Sequence, residues 1–242
     1  MTSSAGTALV VMDMQNDFCV GPGVESRFGG RLDVLSAAIT GTVRAVAAAR
    51  ARGTEVVFVR LHGDVAFQGP SWRRRNLLLD KPTKCRAGSW GADFHAVSPE
   101  PADRVFTKRA CFDAFLSDGF ADHLARQGTE HLVFVGLYAD VCVDSTARTA
   151  FQRGLHVTVL TDCTTSLHLP DETTFRFMRT VYGARTTSHD RPGVWSPPLS
   201  EVRTRDQHPT AGYGRGERSR SDGLHGRGGT GDGDPPHRLV GE

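Results

Sequence analysis

The segment from His131 to Gly154, HLVFVGLYADVCVDSTARTAFQRG, constrains the fold of this chain more than any other. It starts with an almost wholly apolar run to Leu137, which predicts a buried strand. The run breaks at residues 138–140, and from about Val141 small and apolar residues return at helical spacing. The segment therefore predicts a buried strand that turns directly into a helix, with Cys142 in the first helical turn.

The predicted position of Cys142 is one where a thiol is readily activated. A helix N-terminus offers unpaired N–H groups and a partial positive charge. Both stabilise a thiolate, whose pKa of ~8.5 can fall by several units in such places. The same N–H groups would also stabilise an oxyanion formed next to the sulfur.

Two charged side chains follow other apolar runs. Asp13 follows TALVVM, and Lys108 ends the short run DRVFTK. The carboxyl ends of strands in a doubly wound parallel sheet open onto one crevice, so we expect Asp13, Lys108 and Cys142 to meet there. Lysine would draw the thiol toward thiolate, aspartate would accept its proton, and the sulfur would attack an electrophilic carbon.

Apolar strands alternate with helical patterns along the chain, which predicts a three-layer α/β/α fold with a doubly wound, mostly parallel sheet. Strands are expected at Ala8–Met14, Thr54–Arg60, Arg104–Lys108, His131–Leu137, His156–Cys163 and Ala184–Ser188. Helices are expected at Leu32–Arg52, near Arg74–Leu79, at Gly119–Gln127, from about Val141, and at Pro170–Tyr182. The connection from 61 to 102 matches no pattern that assigns its role.

Three segments together resemble the isochorismatase-like cysteine hydrolases, a superfamily that includes nicotinamidases, N-carbamoylsarcosine amidases, ureidoacrylate amidohydrolases and isochorismatases. The segments are VVMDMQNDF, VFTKRACFDAF and GLYADVCVDSTARTAF, and the loop GSWGADF at 88–94 is a further similarity. The resemblance covers roughly residues 7–190. It implies Asp13 as general base, Lys108 as catalytic lysine and Cys142 as nucleophile.

The resemblance also implies the details of the site. A cis peptide would fall at Leu137–Tyr138, and the backbone N–H groups of Tyr138 and Cys142 would form the oxyanion hole. Phe18, Trp90, Phe112 and Tyr138 are candidate substrate-binding residues, because aromatic side chains commonly wall small-molecule sites.

The chain departs from the family pattern in three respects. An alignment on 113–115 would place Arg109 at the lysine position, and we favour Lys108 because a lysine can release its proton. The metal-binding Asp-x-His-Pro segment of the nicotinamidase branch is replaced by VRLHGDVAF, so we predict no catalytic metal and no cofactor. Tyr138 is typical of isochorismatases, whereas Cys142 favours amide and ureide hydrolysis.

Smaller roles follow from position. Asp140 is expected to cap the helix that carries Cys142, and Asp144 to complement the helix dipole. Arg148 should pair with a carboxylate on the helix surface. The remaining thiols are expected to be structural, with Cys19 and Cys111 also candidates for the cavity wall: Cys19, Cys85, Cys111 and Cys163.

Charge and composition limit the partners. The net charge of +2 gives no reason to expect nucleic acid or an anionic membrane as a partner. No apolar run approaches the ~20 residues of a bilayer span, and no basic segment precedes the first apolar run as in a signal peptide. Five irregularly spaced cysteines suit a reducing compartment, so we expect a cytoplasmic protein.

Residues 1–195 are predicted to form the hydrolase domain. The remaining residues, 196–242, are rich in Gly, Arg and Pro, and predict a disordered tail.

The predicted function is cleavage of a C–N bond in a small amide, ureide or lactam through a Cys142 thioester. Two alternatives stay open: an isochorismatase-type vinyl-ether hydrolase without thiol covalency, and a binding protein without turnover on the same fold. The resemblance further implies a homo-oligomer, either a dimer or a tetramer.

Overall fold

The computed structural model describes residues 6–198, which contain a six-stranded sheet whose neighbouring strands all run parallel. In chain order the strands are β1 (Thr7–Met12), β2 (Glu55–His62), β3 (Arg104–Arg109), β4 (His131–Gly136), β5 (His156–Leu160) and β6 (Arg185–Thr187). Their spatial order is β3-β2-β1-β4-β5-β6. The chain therefore adds β2 and β3 on one side of β1, and then β4, β5 and β6 on the other side. This strand order is that of a doubly wound sheet, as predicted.

Helices connect the strands in the described part of the chain. They are α1 (Asn16–Cys19), α2 (Pro22–Phe28), α3 (Leu32–Ala51), α4 (Pro70–Leu78), α5 (Phe120–Arg126), α6 (Asp144–Gln152) and α7 (Asp171–Tyr182). Short 3₁₀ turns lie at Val65–Phe67, Trp90–Ala92 and Ala114–Leu116.

The sheet has a separate apolar core on each face. One core packs the even-numbered β1 side chains, such as Val10, against α5, α6 and α7. The other packs the odd-numbered ones, such as Val11, against α2 and α3. Because a strand buried on both faces cannot alternate with polar residues, β1 and β4 are continuous apolar runs. The three-layer α/β/α prediction is confirmed.

Helix α3 corrects one expectation about membrane spans. It has 20 residues, and an 18-residue window within it has a mean hydropathy of 1.4, which by length and composition alone would suffice to cross a bilayer. Its buried residues recur at helical spacing, from Leu35 and Ala38 to Ala45 and Ala49, and they belong to the core on the α2–α3 face of the sheet. Its apolar character is thus used in the core of the domain.

Most expected elements are present with shifted ends, and two were missed. β1 ends at Met12 rather than Met14, and β5 ends at Leu160 rather than Cys163. The short helices α1 and α2 were not expected, although Pro22 at the start of α2 and a left-handed Gly29 at its end are ordinary helix boundaries. The expected tail lies outside the described residues, apart from 196–198.

A glycine brings the end of β4 against β1. Gly136 has φ of +93°, and a Cβ placed on it would lie 2.1 Å from the Met12 carbonyl oxygen. No other residue type fits such a close approach at that backbone conformation. The turn that follows β4 is thereby held beside the residue that follows β1, which is Asp13.

Candidate active site

Asp13 is buried at the carboxyl end of β1. Its φ of +48° turns the chain out of the strand, and its N–H donates to the Val59 carbonyl oxygen at 2.8 Å. Only 1% of the residue is exposed. A carboxylate so buried is costly unless it is paired with a cation, and the cation comes from β3.

Lys108 supplies that cation. It is fully buried, and its Nζ donates to Asp13 Oδ2 at 2.6 Å and to the Phe112 carbonyl oxygen at 3.1 Å. Arg109, the alternative at this position, points away and pairs at the surface with Asp118. The structure thus places Lys108, not Arg109, against Asp13.

Cys142 lies in a single π-helical turn, Ala139–Val143, that precedes α6. The sequence predicted this cysteine in the first turn of an α-helix. The structure differs in that the turn is a wider, π-helical one. Leu137–Tyr138 is a cis peptide, at the position that the resemblance implied. Within residues 6–198 the Tyr138 N–H has no backbone or side-chain acceptor, so it is available to an external oxygen.

The surroundings of the Cys142 thiol favour its protonated form. Burial raises its pKa most, the Asp13 carboxylate raises it further, and Lys108 only partly opposes both. Activation by a helix N-terminus, expected from the sequence, is therefore outweighed by loss of solvent. A nucleophilic attack by this sulfur would require loss of that proton, and Asp13 is the adjacent carboxylate.

Asp13 has one oxygen available for that role. Oδ2 accepts from Lys108, whereas Oδ1 is buried and makes no well-aligned hydrogen bond to any described residue. Burial by itself lowers the pKa of Lys108, but Asp13 and Cys142 raise it overall. This direction favours a charged Lys108, a fixed positive charge beside Asp13, over a lysine that releases its proton.

A cavity of about 240 Å³ opens above these groups. Asp13 and Cys142 line it together with three of the four predicted aromatic residues, namely Phe18, Phe112 and Tyr138. The Tyr138 hydroxyl donates to the Phe18 carbonyl oxygen, which fixes one wall.

Trp90 was predicted as a fourth wall residue and is not one. It begins the 3₁₀ turn at residues 90–92, and 60% of it is exposed. Its carbonyl oxygen accepts from Asn16 Nδ2 at 2.8 Å, so this segment supports α1 through its backbone. The indole itself lies outside the cavity.

The contribution of α4 to the cavity wall was not predicted from the sequence. Trp72 and Arg75 both line the cavity. The guanidinium carbon of Arg75 lies 4.0 Å from the centroid of the Trp72 ring. Residues three apart lie on one helix face, so their spacing was a usable signal once a helix was assigned. The helix was expected only near 74–79, which hid the pair.

Asp140 does not cap the cysteine helix, contrary to expectation. It lies inside the π-helical turn, and its carboxylate accepts from three successive N–H groups at 2.8, 2.7 and 3.0 Å, those of Leu167, His168 and Leu169. Leu167 and His168 line the cavity. Asp140 therefore ties one cavity wall to the turn that carries Cys142.

We expect Asp140→Ala to weaken both the fold and substrate binding. Three N–H groups would lose a charged acceptor, at a cost of about 2 kcal/mol in the free energy of unfolding. KM should rise more than kcat falls, because the wall residues move while the reacting groups stay. Urea denaturation and steady-state kinetics measure the two effects. Asp122→Ala, in the first turn of α5, is the control, and equal KM values for both variants would contradict this role.

Asp144 and Arg148 lie as predicted. Asp144 is in the first turn of α6, and Arg148 pairs with it one turn later.

Among the other cysteines, Cys19 is buried outside the cavity, and burial raises its pKa to about 12. Cys111 is half-buried and does not line the cavity either.

Away from the cavity, residues 6–198 contain one cluster whose ligand atoms lie at metal-binding separation. Asp162, Cys163 and His189 place one such atom each within 4.8 Å of the others. Their polar groups also bond to each other, since His189 and Cys163 both contact the Asp162 carboxylate. The cluster lies apart from the cavity. Asp64 belongs to VRLHGDVAF, the segment that replaces the metal-binding segment of the nicotinamidase branch, and its carboxylate accepts from the Ala87 N–H at 3.0 Å.

Comparisons with known proteins agree with this architecture. The ureidoacrylate amidohydrolase RutB of Variovorax paradoxus is 31% identical over 180 residues, which cover 68% of this chain and 70% of that protein. RutB of Methylobacterium radiotolerans is 33% identical over 174 residues, covering 66% and 67% respectively. N-carbamoylsarcosine amidase from Thermoplasma acidophilum has the same fold, with a TM-score of 0.65 at 24% identity over 76% of this chain and 97% of that one.

An isochorismatase family protein from Desulfovibrio vulgaris is also similar in structure, with a TM-score of 0.63 at 29% identity, covering 76% of this chain and 95% of that one. Residues 7–191 match the model of the isochorismatase domain. The chain belongs to the isochorismatase family.

Proposed function

We propose that this chain is a cysteine hydrolase that cleaves a C–N bond, other than a peptide bond, in a small amide, ureide or lactam. The observation that carries the proposal is the buried contact of Asp13, Lys108 and Cys142 at the base of a cavity. Amidohydrolases among the similar proteins support the reaction class.

The first half of the reaction forms a thioester. The Cys142 sulfur attacks the carbonyl carbon while its proton passes to Asp13 Oδ1, which has no other well-aligned donor among the described residues. The N–H groups of Tyr138 and Cys142 hold the oxyanion, and each such donor contributes ~3 kcal/mol in measured cases. The tetrahedral adduct then collapses, the C–N bond breaks, and the proton on Asp13 passes to the leaving nitrogen.

The second half reverses the proton flow. Water attacks the thioester carbon and gives a proton to Asp13, the C–S bond breaks, and that proton returns to sulfur. Lys108 stays charged throughout. It holds the Asp13 carboxylate in place and stabilises the negative charge that moves between carboxylate and sulfur.

Release of ammonia or amine from a panel of amides, ureides and lactams tests the reaction class. We expect turnover of at least one compound, and loss of that turnover in Cys142→Ala. Turnover of a vinyl ether that survives this substitution would instead support the non-covalent alternative. Ligand binding with no turnover of any kind would support the binding-protein alternative.

Assembly and location are separate proposals. We propose a homo-oligomer, dimer or tetramer, which light scattering on the purified chain tests directly. A cytoplasmic location stays a prediction, based on an odd number of cysteines. Nucleic acid and membranes are not proposed as partners.

A further inference from the structure

A second group of chemically versatile side chains lies where β5 and β6 end. Asp162 and Cys163 follow β5, and His189 follows β6. Each offers one ligand atom, and the three atoms lie within 4.8 Å of one another. None of the three residues lines the cavity that holds Cys142. The catalytic steps proposed above therefore leave this cluster unused.

We propose that Asp162, Cys163 and His189 bind a zinc ion, with water as the fourth ligand. A carboxylate, a thiolate and an imidazole are all ordinary zinc ligands, and three protein ligands leave one position for water. The soft sulfur disfavours calcium and magnesium, which take oxygen ligands. The predicted absence of a catalytic metal is a separate matter, because this site lies outside the cavity that holds Cys142.

The register of the sheet brings the ligands together. β5 and β6 pair in parallel, with Leu160 opposite Thr187 as the last pair. Asp162 and His189 each lie two residues beyond that pair. The Thr161 N–H donates to the Thr187 carbonyl oxygen at 2.8 Å, and the His189 N–H donates to Asp162 Oδ1 at 3.1 Å. Backbone pairing therefore fixes the distance between the two ligands.

The turn that carries Cys163 is held rigidly against α3. Its carbonyl oxygen accepts from the Gly136 N–H at 2.9 Å and from Thr42 Oγ1 at 2.8 Å. A Cβ placed on Gly41 would lie 2.0 Å from the Asp162 carbonyl oxygen, so the backbone of α3 packs directly on this turn. A ligand set held in place by its backbone loses little conformational entropy when a metal binds.

The separations of the ligand atoms are close to those of a zinc site. Asp162 Oδ1 lies 3.3 Å from Cys163 Sγ, and Oδ2 lies 2.5 Å from His189 Nδ1. Tetrahedral bonds of ~2.0–2.3 Å would place ligand atoms ~3.3–3.7 Å apart, so rearrangements of about 1 Å suffice. Zinc would replace the Cys163 thiol proton, which passes to solvent, while His189 binds as neutral imidazole.

A separate cavity of about 380 Å³ gives the ion access to the cluster. Asp162 and His189 line it, and their side chains are 35% and 20% exposed. Arg44 of α3 also lines it, but the carboxylate and the Cys163 thiolate together outweigh this one cation. The cavity therefore provides an entry path and space for the water ligand.

Cobalt(II) titration of the full-length Cys142→Ala protein tests the site, because this background removes the catalytic thiol as a competing ligand. A thiolate bound to cobalt gives a sulfur-to-metal charge-transfer absorption in the near ultraviolet, which sites without sulfur lack. We expect the absorption to saturate at one cobalt per chain. Zinc should then abolish it, since zinc binds such ligands more tightly than cobalt does.

Substitutions assign the absorption to this cluster. Cys163→Ala should remove it, and His189→Gln should weaken cobalt binding by about tenfold or more. His189 is partly exposed, so its variant should fold even where the Cys163 variant does not. Cys111→Ala and His156→Gln are the matched controls, because Cys111 is outside the cluster and His156 is exposed at the opposite end of β5. Neither should change the titration.

Thermal denaturation gives a second readout. Zinc at 100 times its Kd should raise the Tm by about 5 °C or more, because it binds the folded chain and not the unfolded one. The shift should shrink in His189→Gln at the same zinc concentration and persist in His156→Gln.

The absence of any charge-transfer absorption with cobalt would overturn the proposal, as would an absorption that persists in Cys163→Ala. Equal cobalt affinities of His189→Gln and His156→Gln would also place the metal elsewhere. Because the cluster is outside the cavity that holds Cys142, each of these results can be obtained whether or not the chain is a hydrolase.

Discussion

Replacing Cys142 by alanine should lower kcat by about 10⁴-fold or more, the range seen when a nucleophile is removed from an acyl-transfer site. The cysteine is 7% exposed and contributes a small side chain to the core, so the free energy of unfolding should change by only about 1 kcal/mol. The loss of activity would therefore come from the missing sulfur and not from unfolding. Kinetics and urea denaturation on the same preparation separate the two.

Cys111→Ala is the matched control for this experiment. Cys111 is half-buried and does not line the cavity. Its replacement should therefore leave kcat within about twofold of the unsubstituted protein, because substitutions away from the site and the core have small effects. If Cys142→Ala keeps full activity, the thioester mechanism is wrong and the non-covalent alternative becomes the better account.

Replacing Lys108 by methionine should remove activity and destabilise the protein by about 3–5 kcal/mol. The substitution shortens the unbranched side chain by one atom and leaves the Asp13 charge, at 1% exposure, without its cation. Breaking one side of a buried pair is costly because the remaining charge is still removed from water. Thermal or urea denaturation measures the effect on stability.

A double substitution distinguishes the ion pair from mere packing. Asp13→Asn combined with Lys108→Met removes both charges, so the double variant should be more stable than Lys108→Met alone, although still inactive. Arg109→Met on the same strand is the control, because this arginine is exposed and should change stability by only about 0.5 kcal/mol. Additive losses in the double variant, with no recovery, would contradict the ion-pair account.

The meeting of Asp13, Lys108 and Cys142 was predictable because their positions depend on strand ends. Asp13, Lys108 and Cys142 each follow an apolar run, and parallel strands place their carboxyl ends at one edge of the sheet. That rule needs only the strand pattern, which is strong in β1 and β4. The family assignment rested on the same segments and is confirmed by the match over residues 7–191.

The cavity walls were harder to predict because they come from connections and not from strands. Helix α4 buries none of its residues completely, so the sequence gives no apolar stripe from which to assign it. Trp90 was misplaced for a related reason, since an aromatic residue in a loop carries no signal of its orientation. Asp140 was misassigned because a π-helical turn is rare, and the ordinary reading of Asp before a helix is a cap.

The protonation state of the site also could not be predicted from the sequence. Helix position argues for a lowered thiol pKa, but burial of Cys142 beside Asp13 raises it. The balance between those effects depends on solvent exposure, which only the folded structure gives. It gives more weight to the transfer of the thiol proton to Asp13 and less to activation of the thiol by the helix N-terminus.

Mass spectrometry of the enzyme, acid-quenched within milliseconds of mixing with a turned-over substrate, tests the central claim most directly. The account predicts an added mass equal to the acyl group on the peptide that contains Cys142, forming and decaying at rates that match turnover. Turnover without any adduct on that peptide, or an adduct that also forms on Cys142→Ala protein, would contradict it.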